Sequence, residues 1–243
     1  MTLSLSALNV RCILLDIEGT TTPIAFVHEV LFPFAHARVS DYLARNLSSK
    51  QVQHDLALLR EEHAKDAAQQ LDPPALTESD VVSYIHWLMD RDRKSTGLKS
   101  LQGKVWEQGY RDGQLKAEVF PDVPRALKRW RNAGLRLAIF SSGSVLAQRL
   151  LFAHTNAGDL TEFFENYFDT TTGAKAAAES YRSIASELGL NPPEILFISD
   201  VGAELEAASD AGLQRVLCVR PGNLPQQTSP HRPAISTFDE IEA

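Results

Sequence analysis

The sequence predicts an α/β fold in which a doubly wound parallel sheet carries an inserted helical segment. One observation is the short apolar run Cys12–Leu15, which contains no polar residue. Strands that are buried on both faces of a parallel sheet have this composition. A second observation is that, from residue 118 onward, similar runs alternate with amphipathic segments of helical periodicity. This alternation favours right-handed crossovers between parallel strands.

The composition limits both the size of the fold and its partners. The 243 residues suffice for one large domain or two modest ones, and the contents of hydrophobic residues (44%) and charged residues (23%) are ordinary for a globular protein. A formal net charge of −7, without any basic run, excludes a nucleic-acid-binding surface. An anionic substrate would therefore need a local cation, from a metal ion or a lysine. Cys12 and Cys218 lie in apolar runs, which favours buried thiols over a disulfide or a zinc site.

The N-terminal segment has neither the charge pattern nor the apolar run of a secretory leader. No apolar run in the sequence approaches the length that spans a membrane. We therefore expect a cytoplasmic protein that binds neither membrane nor nucleic acid and acts as a monomer on a small molecule.

Residues 21–117 contain no strand pattern, which indicates a helical insertion that can fold over the site as a cap. Helices are predicted at residues 24–47 with a break at Pro33, at 55–71, after a capping box at 77–80, and at 98–111. The predicted domains are therefore a catalytic core, made of residues 1–20 and 118–243, and a cap at 21–117.

The remainder of the core alternates helices with strands. Helices are predicted at residues 122–133, with Asp122 as the N-terminal cap, and at 176–188. Two further helices are predicted to end at about residue 154 and at residue 211. Strands are predicted at residues 135–140, 163–168, 195–198 and 216–219. Residues 223–232 are rich in Pro, Gln and Ser and are predicted to form a surface loop.

Polar residues follow three of these strands at the point where each strand leaves the sheet. Asp16 and Glu18 follow the first strand, and Ser141 and Asp200 follow two later ones. The carboxyl ends of parallel strands meet at one edge, where open α/β sheets bind their ligands. On continued strand geometry, the carboxylates of Asp16 and Glu18 would share a face, repel each other and favour a bound cation. An acidic strand-to-loop turn is the simpler interpretation of this stretch alone.

Four segments together resemble the motifs of the haloacid dehalogenase-type phosphohydrolases. The first is DIEGTTTPIAF at residues 16–26, whose glycine permits a sharp turn and whose threonine hydroxyls can bond backbone or phosphate oxygens. The others are the serine pair at 141–142, TGAK at 172–175 and FISDV at 197–201, accompanied by VLFPFA at 30–35 and VRPGN at 219–223. The resemblance covers the whole chain. It implies a Rossmann-like core with a helical cap and the hydrolysis of a small phosphate ester.

By this resemblance, Asp16 is the nucleophile and Glu18 the general acid and base. A carboxylate needs no deprotonation at neutral pH and can accept a phosphoryl group as an aspartyl phosphate. Glu18 would protonate the leaving oxygen and later activate water. Most members carry Asp at this position, whereas Glu marks a branch that enolises and then dephosphorylates a small phosphorylated diketone. The phosphatase half follows from the residues, and the enolase half is implied by the resemblance alone.

The resemblance also implies Ser141, Ser142 and Lys175 as substrate-binding residues. The serines would contact the transferring phosphate, and the fixed charge of Lys175 would offset that of the phosphate. Simpler interpretations exist for two of them. Ser142 could be a helix-entry serine that bonds only backbone, and Lys175 could be a solvated surface residue.

The implied metal ligands are Asp16, Glu18 and Asp200, with Glu18 binding through its main-chain carbonyl rather than its side chain. Oxygen-only ligands beside phosphate and solvent make Mg²⁺ the expected cofactor. Glu204 has two interpretations. It could support a metal-bound water, or it could stabilise the N-terminus of the helix that follows Asp200.

Two other classes of protein fit part of the pattern. A phosphatase of the same superfamily that acts on another small phosphate ester would carry the same motifs. A phospho-accepting signalling domain also combines acids, a hydroxyl and a lysine on a doubly wound sheet. Such a domain lacks a long insertion after its first strand and is phosphorylated at a middle strand, where this sequence has no comparable aspartate.

Overall fold

The computed structural model confirms the α/β class and describes residues 3–76, 81–93, 95–225 and 233–242. The capping box predicted at 77–80, and most of the surface loop predicted at 223–232, lie outside these residues. None of the helices in the described ranges is long and apolar enough to cross a membrane. Cys12 and Cys218 are buried free thiols, in agreement with the sequence prediction.

The described residues form eight strands. They are β1 (Leu3–Ser4), β2 (Cys12–Leu15), β3 (Arg136–Phe140), β4 (Asn166–Phe168), β5 (Ile195–Ser199), β6 (Gln214–Cys218), β7 (Ala234–Ile235) and β8 (Ile241–Glu242). β1 pairs with β8, and the other six form one parallel sheet in the order β4, β3, β2, β5, β6, β7. The sequence did not predict β1, β7 and β8, because a strand of two residues is too short to show an apolar pattern.

β2 lies in the middle of this sheet and is fully buried. It pairs on one side with β3 and on the other with β5, so Leu15 has Ile139 and Ile198 as its two cross-strand neighbours. Because β3 and β5 lie on opposite sides of β2, a crevice opens at the carboxyl ends of these strands. The residue that follows Leu15 therefore lies where open α/β sheets bind ligands.

The segment between β2 and β3 is helical, as predicted. A π-helical turn at Phe26–Leu31 precedes α1 (Phe32–Asn46), and α2 (Lys50–Ala68), α3 (Val81–Asp90) and α4 (Thr96–Arg111) follow. No strand occurs in the described residues between 23 and 115. Pro33 does not break a helix, since it lies in the first turn of α1, where a missing N–H costs no hydrogen bond. The irregularity predicted there is the π-helical turn.

Four further helices connect the strands of the main sheet: α5 (Val123–Asn132), α6 (Val145–Ala153), α7 (Ala178–Leu188) and α8 (Gly202–Asp210). α7 and α8 pack on the face of the sheet that carries Cys12 and Leu14. α7 ends at Gly189, whose positive φ of 65° supplies the left-handed stop.

The role predicted for Asp122 is only half right. Asp122 is the N-cap residue of α5, but its side chain makes no capping hydrogen bond. Its Oδ2 instead accepts hydrogen bonds from Arg220 Nη1 at 2.8 Å, Thr237 Oγ1 at 3.0 Å and the Phe238 amide at 2.6 Å. A buried guanidinium is a stronger partner for a carboxylate than an amide of the helix end.

The chain divides into two compact units, Met1–His28 with Lys116–Ala243 and Glu29–Leu115. Each unit has its own apolar core. The core of the first includes Phe197 and Tyr181, and the core of the second includes Leu59 and Tyr84.

Candidate active site

Asp16 directly follows β2 and is almost completely buried, with an exposed fraction of 3%. Its Oδ1 accepts a hydrogen bond from the amide of Ile17 at 2.8 Å and lies 2.7 Å from Lys175 Nζ. Its Oδ2 accepts a hydrogen bond from Ser199 Oγ at 2.9 Å. Both carboxylate oxygens are thus held in one orientation at the carboxyl edge of the sheet.

Lys175 is a buried cation and not a solvated surface lysine. Its Nζ lies 2.7 Å from Glu204 Oε2, the same distance as from Asp16 Oδ1. Burial alone lowers the pKa of the Lys175 ammonium, but the charges of the two carboxylates outweigh burial and the pKa is raised. The hydroxyl of Tyr181 donates a hydrogen bond to the carbonyl of Lys175 at 2.7 Å and so ties its loop to α7. Lys175 therefore stays protonated beside Asp16.

Ser199 belongs to the site, although the sequence analysis did not identify it. Its side chain is fully buried at the end of β5, and its Oγ lies 2.9 Å from Asp16 Oδ2 and 3.1 Å from Glu204 Oε2. The amide of Val201 donates a hydrogen bond to the same oxygen at 3.1 Å. The signal in the sequence was a single hydroxyl at the end of an otherwise apolar strand, which also has a trivial interpretation as a strand-end polar residue.

Glu204 lies in the first turn of α8, as the helix-terminus interpretation expected, and its side chain also makes contacts that neither interpretation foresaw. Its carboxylate pairs with Lys175, and its Oε2 lies 3.1 Å from Ser199 Oγ, so Glu204 and Asp16 compete for the single proton of the Ser199 hydroxyl. One ammonium cannot compensate two buried carboxylates fully. Burial, followed by the charge of Asp16, raises the pKa of Glu204 to about 7.

Asp200 is also a buried carboxyl group close to the negative charge of Asp16. Burial, with the charge of Asp16 as the next cause, raises the pKa of its carboxyl to about 7. The pKa of both acids in the folded protein lies above its ordinary value near 4, so between about pH 4 and pH 7 the folded protein binds more protons than the unfolded chain. The stability that this difference contributes is present at low pH and is lost as the pH rises toward 7. At neutral pH the charged site therefore favours a bound cation.

Glu18 has different surroundings from Asp16, because β2 ends before Asp16 and strand alternation does not continue. The Glu18 Oε1 lies 2.7 Å from Nε2 of His28, and the exposed side-chain fractions of the two residues are 41% and 56%. A half-exposed carboxylate can exchange protons with solvent, which suits an acid and base. Nothing in the sequence pattern indicated this contact between Glu18 and His28.

The loop after Glu18 is tightly folded on itself. The amides of Thr20, Thr21 and Thr22 all donate to the carbonyl of Ile17, at 3.2, 2.9 and 2.9 Å. All three threonine side chains are fully buried, and the Thr21 hydroxyl bonds the same carbonyl at 3.1 Å. The Thr21 hydroxyl therefore bonds backbone, which is one of its two predicted uses, whereas the hydroxyls of Thr20 and Thr22 have no hydrogen-bond partner among the described residues.

Ser141 and Ser142 start the loop that follows β3, the strand next to β2. The Ser141 hydroxyl accepts a hydrogen bond from the amide of Gly143 at 3.3 Å, and Ser142 is exposed. The helix cap is not Ser142 but Ser144, whose Oγ accepts from the amide of Ala147. Ser144 is therefore the capping residue of α6, and both interpretations of Ser142 stay predictions.

Gln148 is a further residue that the sequence analysis missed. Its buried Nε2 donates to the carbonyl of Gly143 at 2.8 Å and to that of Phe168 at 2.8 Å. These bonds fix the serine loop to the end of β4, so Gln148 holds the loop shape that Ser141 depends on.

The oxygen atoms at this edge fit a hard divalent cation. Asp16 and Asp200 supply carboxylates, and no thiol or imidazole lies among the ligands predicted from the sequence. In the described ranges, no three side chains of His, Cys, Asp or Glu are grouped closely enough to hold a metal ion by themselves. A site here would thus combine two carboxylates with other oxygens, which agrees with the main-chain role expected for Glu18.

Gly19 allows the Asp200 carboxylate to approach the loop after β2. Its φ is +67°, and a Cβ added at Gly19 would lie 2.3 Å from Asp200 Oδ2. Replacing Gly19 by Ala should displace this carboxylate and lower divalent-metal affinity and phosphate release by about 10- to 100-fold, the usual effect of disturbing the residues around a metal. Metal titration calorimetry and a phosphate-release assay would measure the two effects.

Gly113 provides the matched control for this substitution. Its φ of +68° imposes the same backbone strain on an alanine, but no described heavy atom lies within 4 Å of an added Cβ. Each variant should lose about 1–2 kcal/mol of stability from strain, and only Gly19→Ala should lose metal affinity. Equal metal affinities in the two variants would contradict the position assigned to Asp200.

Comparisons with known proteins show which proteins the chain is similar to. A family model for haloacid dehalogenase-like hydrolases matches residues 10–212. Enolase-phosphatase E1 of Synechococcus elongatus is 53% identical over 236 residues, which cover 96% of this chain and 98% of that protein. Enolase-phosphatase E1 of Danio rerio is 41% identical over 248 residues, covering 96% and 95%.

A solved structure is similar over the same extent. The crystal structure of the UTR4 protein from Saccharomyces cerevisiae has a TM-score of 0.79 and 34% sequence identity, covering 95% of this chain and 99% of that one. The similarity therefore includes the helical segment between β2 and β3 and is not limited to the sheet.

Proposed function

Because the chain belongs to the haloacid dehalogenase-like hydrolases and, within them, to the enolase-phosphatases (acireductone synthases) of methionine salvage, we propose that it converts 2,3-diketo-5-methylthiopentyl-1-phosphate to an acireductone and phosphate. The acireductone is 1,2-dihydroxy-3-keto-5-methylthiopentene. The observation that carries the proposal is the contact of 2.7 Å between Asp16 Oδ1 and Lys175 Nζ at the carboxyl edge of the sheet. This contact supports the proposal because the carboxylate that would act as nucleophile lies beside a protonated lysine.

We propose that phosphate release proceeds in two steps on Asp16. An Asp16 oxygen attacks phosphorus, the bond from phosphorus to the substrate oxygen breaks, and that oxygen takes a proton from Glu18. Water that has lost a proton to Glu18 then attacks the aspartyl phosphate, which frees phosphate and regenerates the Asp16 carboxylate. Ser141, Ser142 and Lys175 would hold the phosphate oxygens during both steps. The buried hydrogen bonds of Asp16 support this role because they fix its orientation.

Membership of the family implies a divalent metal cofactor, and we propose that this is Mg²⁺ held by Asp16, Asp200 and the carbonyl of Glu18. The bound cation would neutralise charge on the phosphate and on the carboxylates around it. The raised pKa values of Asp200 and Glu204, each about 7, support a cation here, because burial and then the charge of Asp16 disfavour the ionised carboxylates, and Lys175 does not offset both causes.

The helical unit Glu29–Leu115 begins a short distance after Glu18, the proposed acid and base, in the chain. We propose that it is the cap of the catalytic unit and that its residues select the methylthio end of the substrate. The enolase step would use the serine and lysine donors to hold the developing enolate oxygen. We further propose that the protein acts as a monomer on this small molecule.

The test is turnover of the diketo phosphate by the purified protein with Mg²⁺, followed by ultraviolet absorbance of the enol and by a phosphate assay. The expected result is an enol signal together with phosphate release, and much slower release from a simple ester such as glycerol phosphate. Equal rates on both esters without an enol signal would favour a phosphatase of other specificity in the same superfamily.

A further inference from the structure

Asn223 lies in the turn that follows β6 and contacts the loop after β2. Its Nδ2 donates a hydrogen bond to the carbonyl of Gly19 at 2.8 Å and another to that of Cys218 at 3.3 Å. Because both partners are carbonyl oxygens, which only accept, the NH₂ group must face them. The orientation of the amide is therefore fixed, and its oxygen points away from both carbonyls.

The amide oxygen of Asn223 has no such partner. Its Oδ1 is buried and accepts no hydrogen bond from the residues that the structure describes. It lies 3.1 Å from the point that a Cβ on Gly19 would occupy, and Asp200 Oδ2 lies 2.3 Å from that same point. The two oxygens thus flank Gly19 together, with one from the loop after β6 and the other from the end of β5.

A buried carbonyl oxygen without a donor costs about 1–3 kcal/mol, and a bound ion is one of the partners that can satisfy such an atom. A neutral amide oxygen beside a carboxylate is a typical donor pair for a hard divalent cation and its hydration shell. We propose that the Asn223 Oδ1 belongs to the divalent-metal site as a neutral oxygen donor beside Asp200. This inference rests on the metal site of the proposed function and adds to it a residue from the segment 219–223.

The test measures metal affinity directly, by titration calorimetry with Mg²⁺ alone and by electron paramagnetic resonance with Mn²⁺ alone. Asn223→Ala removes the oxygen and should weaken binding by about 10- to 100-fold. Asn223→Asp keeps an oxygen at Oδ1 but replaces the NH₂ donor by a second oxygen, which destroys the anchor to Gly19. If Oδ1 is a metal donor, Asn223→Asp should bind metal as tightly as the wild type or more tightly, since a charge is added.

Thr21→Val is the matched control, because it removes the hydroxyl bonds to the main-chain carbonyls of Ile17 and Asp16 in the same loop and leaves the side-chain oxygens beside Gly19 in place. Its metal affinity should stay within about twofold of the wild type, the scatter expected when no residue around the metal is lost. If Asn223→Asp binds metal as weakly as Asn223→Ala, the amide serves only as an anchor and the inference is wrong. Wild-type affinity in a folded Asn223→Ala variant would equally overturn it.

A measurement on the wild-type protein keeps the inference testable if the variants do not fold. The side-chain carbonyl carbon of Asn223, followed by nuclear magnetic resonance during a Mg²⁺ titration, should shift in parallel with metal occupancy. A constant Asn223 signal while Asp200 shifts would refute the role of Asn223 alone. No saturable binding of Mg²⁺ or Mn²⁺ to the wild type would instead refute the proposed metal site.

Discussion

Replacing Asp16 by Asn is expected to abolish phosphate release while the protein keeps its fold. The amide cannot attack phosphorus, so no aspartyl phosphate forms. Losing a nucleophile of this kind lowers kcat by about 10⁴-fold or more. A phosphate assay on a preparation free of other phosphatases measures the loss. Turnover like that of the wild type would refute the assignment of Asp16 as nucleophile.

The surroundings of Asp16 can accept an asparagine. An amide oxygen facing the Ile17 amide and Lys175 keeps the hydrogen bonds that Oδ1 now accepts. The amide nitrogen would then face Ser199 Oγ. The Ser199 hydroxyl can accept a hydrogen bond from this nitrogen and donate a hydrogen bond to Glu204. The variant also removes one negative charge from a crowded site, so its thermal stability should be unchanged or higher.

The same variant separates the two half-reactions. Our hypothesis is that the hydrogen-bond donors serve both enolisation and phosphoryl transfer, whereas Asp16 as nucleophile is needed only for the second. With saturating Mg²⁺, Asp16→Asn should then accumulate the phosphorylated enol, seen by its ultraviolet absorbance, without releasing phosphate. If neither product forms although Mg²⁺ still binds, Asp16 also takes part in the proton transfer.

Glu204→Gln is the matched control for this experiment. It removes one negative charge from the same network around Lys175 and leaves the nucleophile in place. It should retain measurable phosphate release, even if slower than the wild type. Loss of all release in Glu204→Gln would mean that charge balance, and not a missing nucleophile, explains the effect of Asp16→Asn.

The sequence predicts the strands that bring the site together, because their composition depends on local burial. A strand such as β2 that is buried on both faces admits no polar residue, so its end at Leu15 is visible in the sequence. The parallel orientation of the strands then follows from the alternation with helices, and it brings Asp16, Ser141 and Asp200 to the same edge of the sheet. Structural relatives confirm this fold, whereas the roles of the site residues stay predictions.

The contacts that hold the site could not be predicted, because they join residues that are distant in the chain. Ser199 and Asp16 are 183 positions apart, and nothing in the pattern around Ser199 indicates a hydroxyl shared by two carboxylates. Asn223 and Gly19 are 204 positions apart, and their contact depends on a turn whose shape the sequence does not define. Asp122 illustrates the reverse error, since a strong local signal for a cap was overridden by a buried Arg220.

Replacing Lys175 by Met should have the second large effect, on stability and on catalysis together. Lys175 contacts Asp16 and Glu204, each at 2.7 Å, with an exposed side-chain fraction of only 8%. Removing one partner from a buried ion pair leaves uncompensated charge and costs about 3–5 kcal/mol. Denaturant unfolding should show this loss, and phosphate release should fall because the phosphate loses its nearest cation. Adding Glu204→Gln should restore part of the stability without restoring phosphate release.

Lys104→Met tests whether the loss of phosphate release in Lys175→Met is caused by lower stability alone. Lys104 Nζ lies 2.6 Å from Asp55 Oδ2 in the helical unit, and its side chain is also largely buried. Its loss should destabilise the unit that contains it by a similar amount, while the folded protein keeps its phosphate release. If Lys175→Met and Lys104→Met lower phosphate release equally when compared at the same folded fraction, Lys175 acts only on stability. If Lys175→Met leaves the free energy of unfolding unchanged, the carboxylates around it are not charged together, and the electrostatic account of the site is wrong.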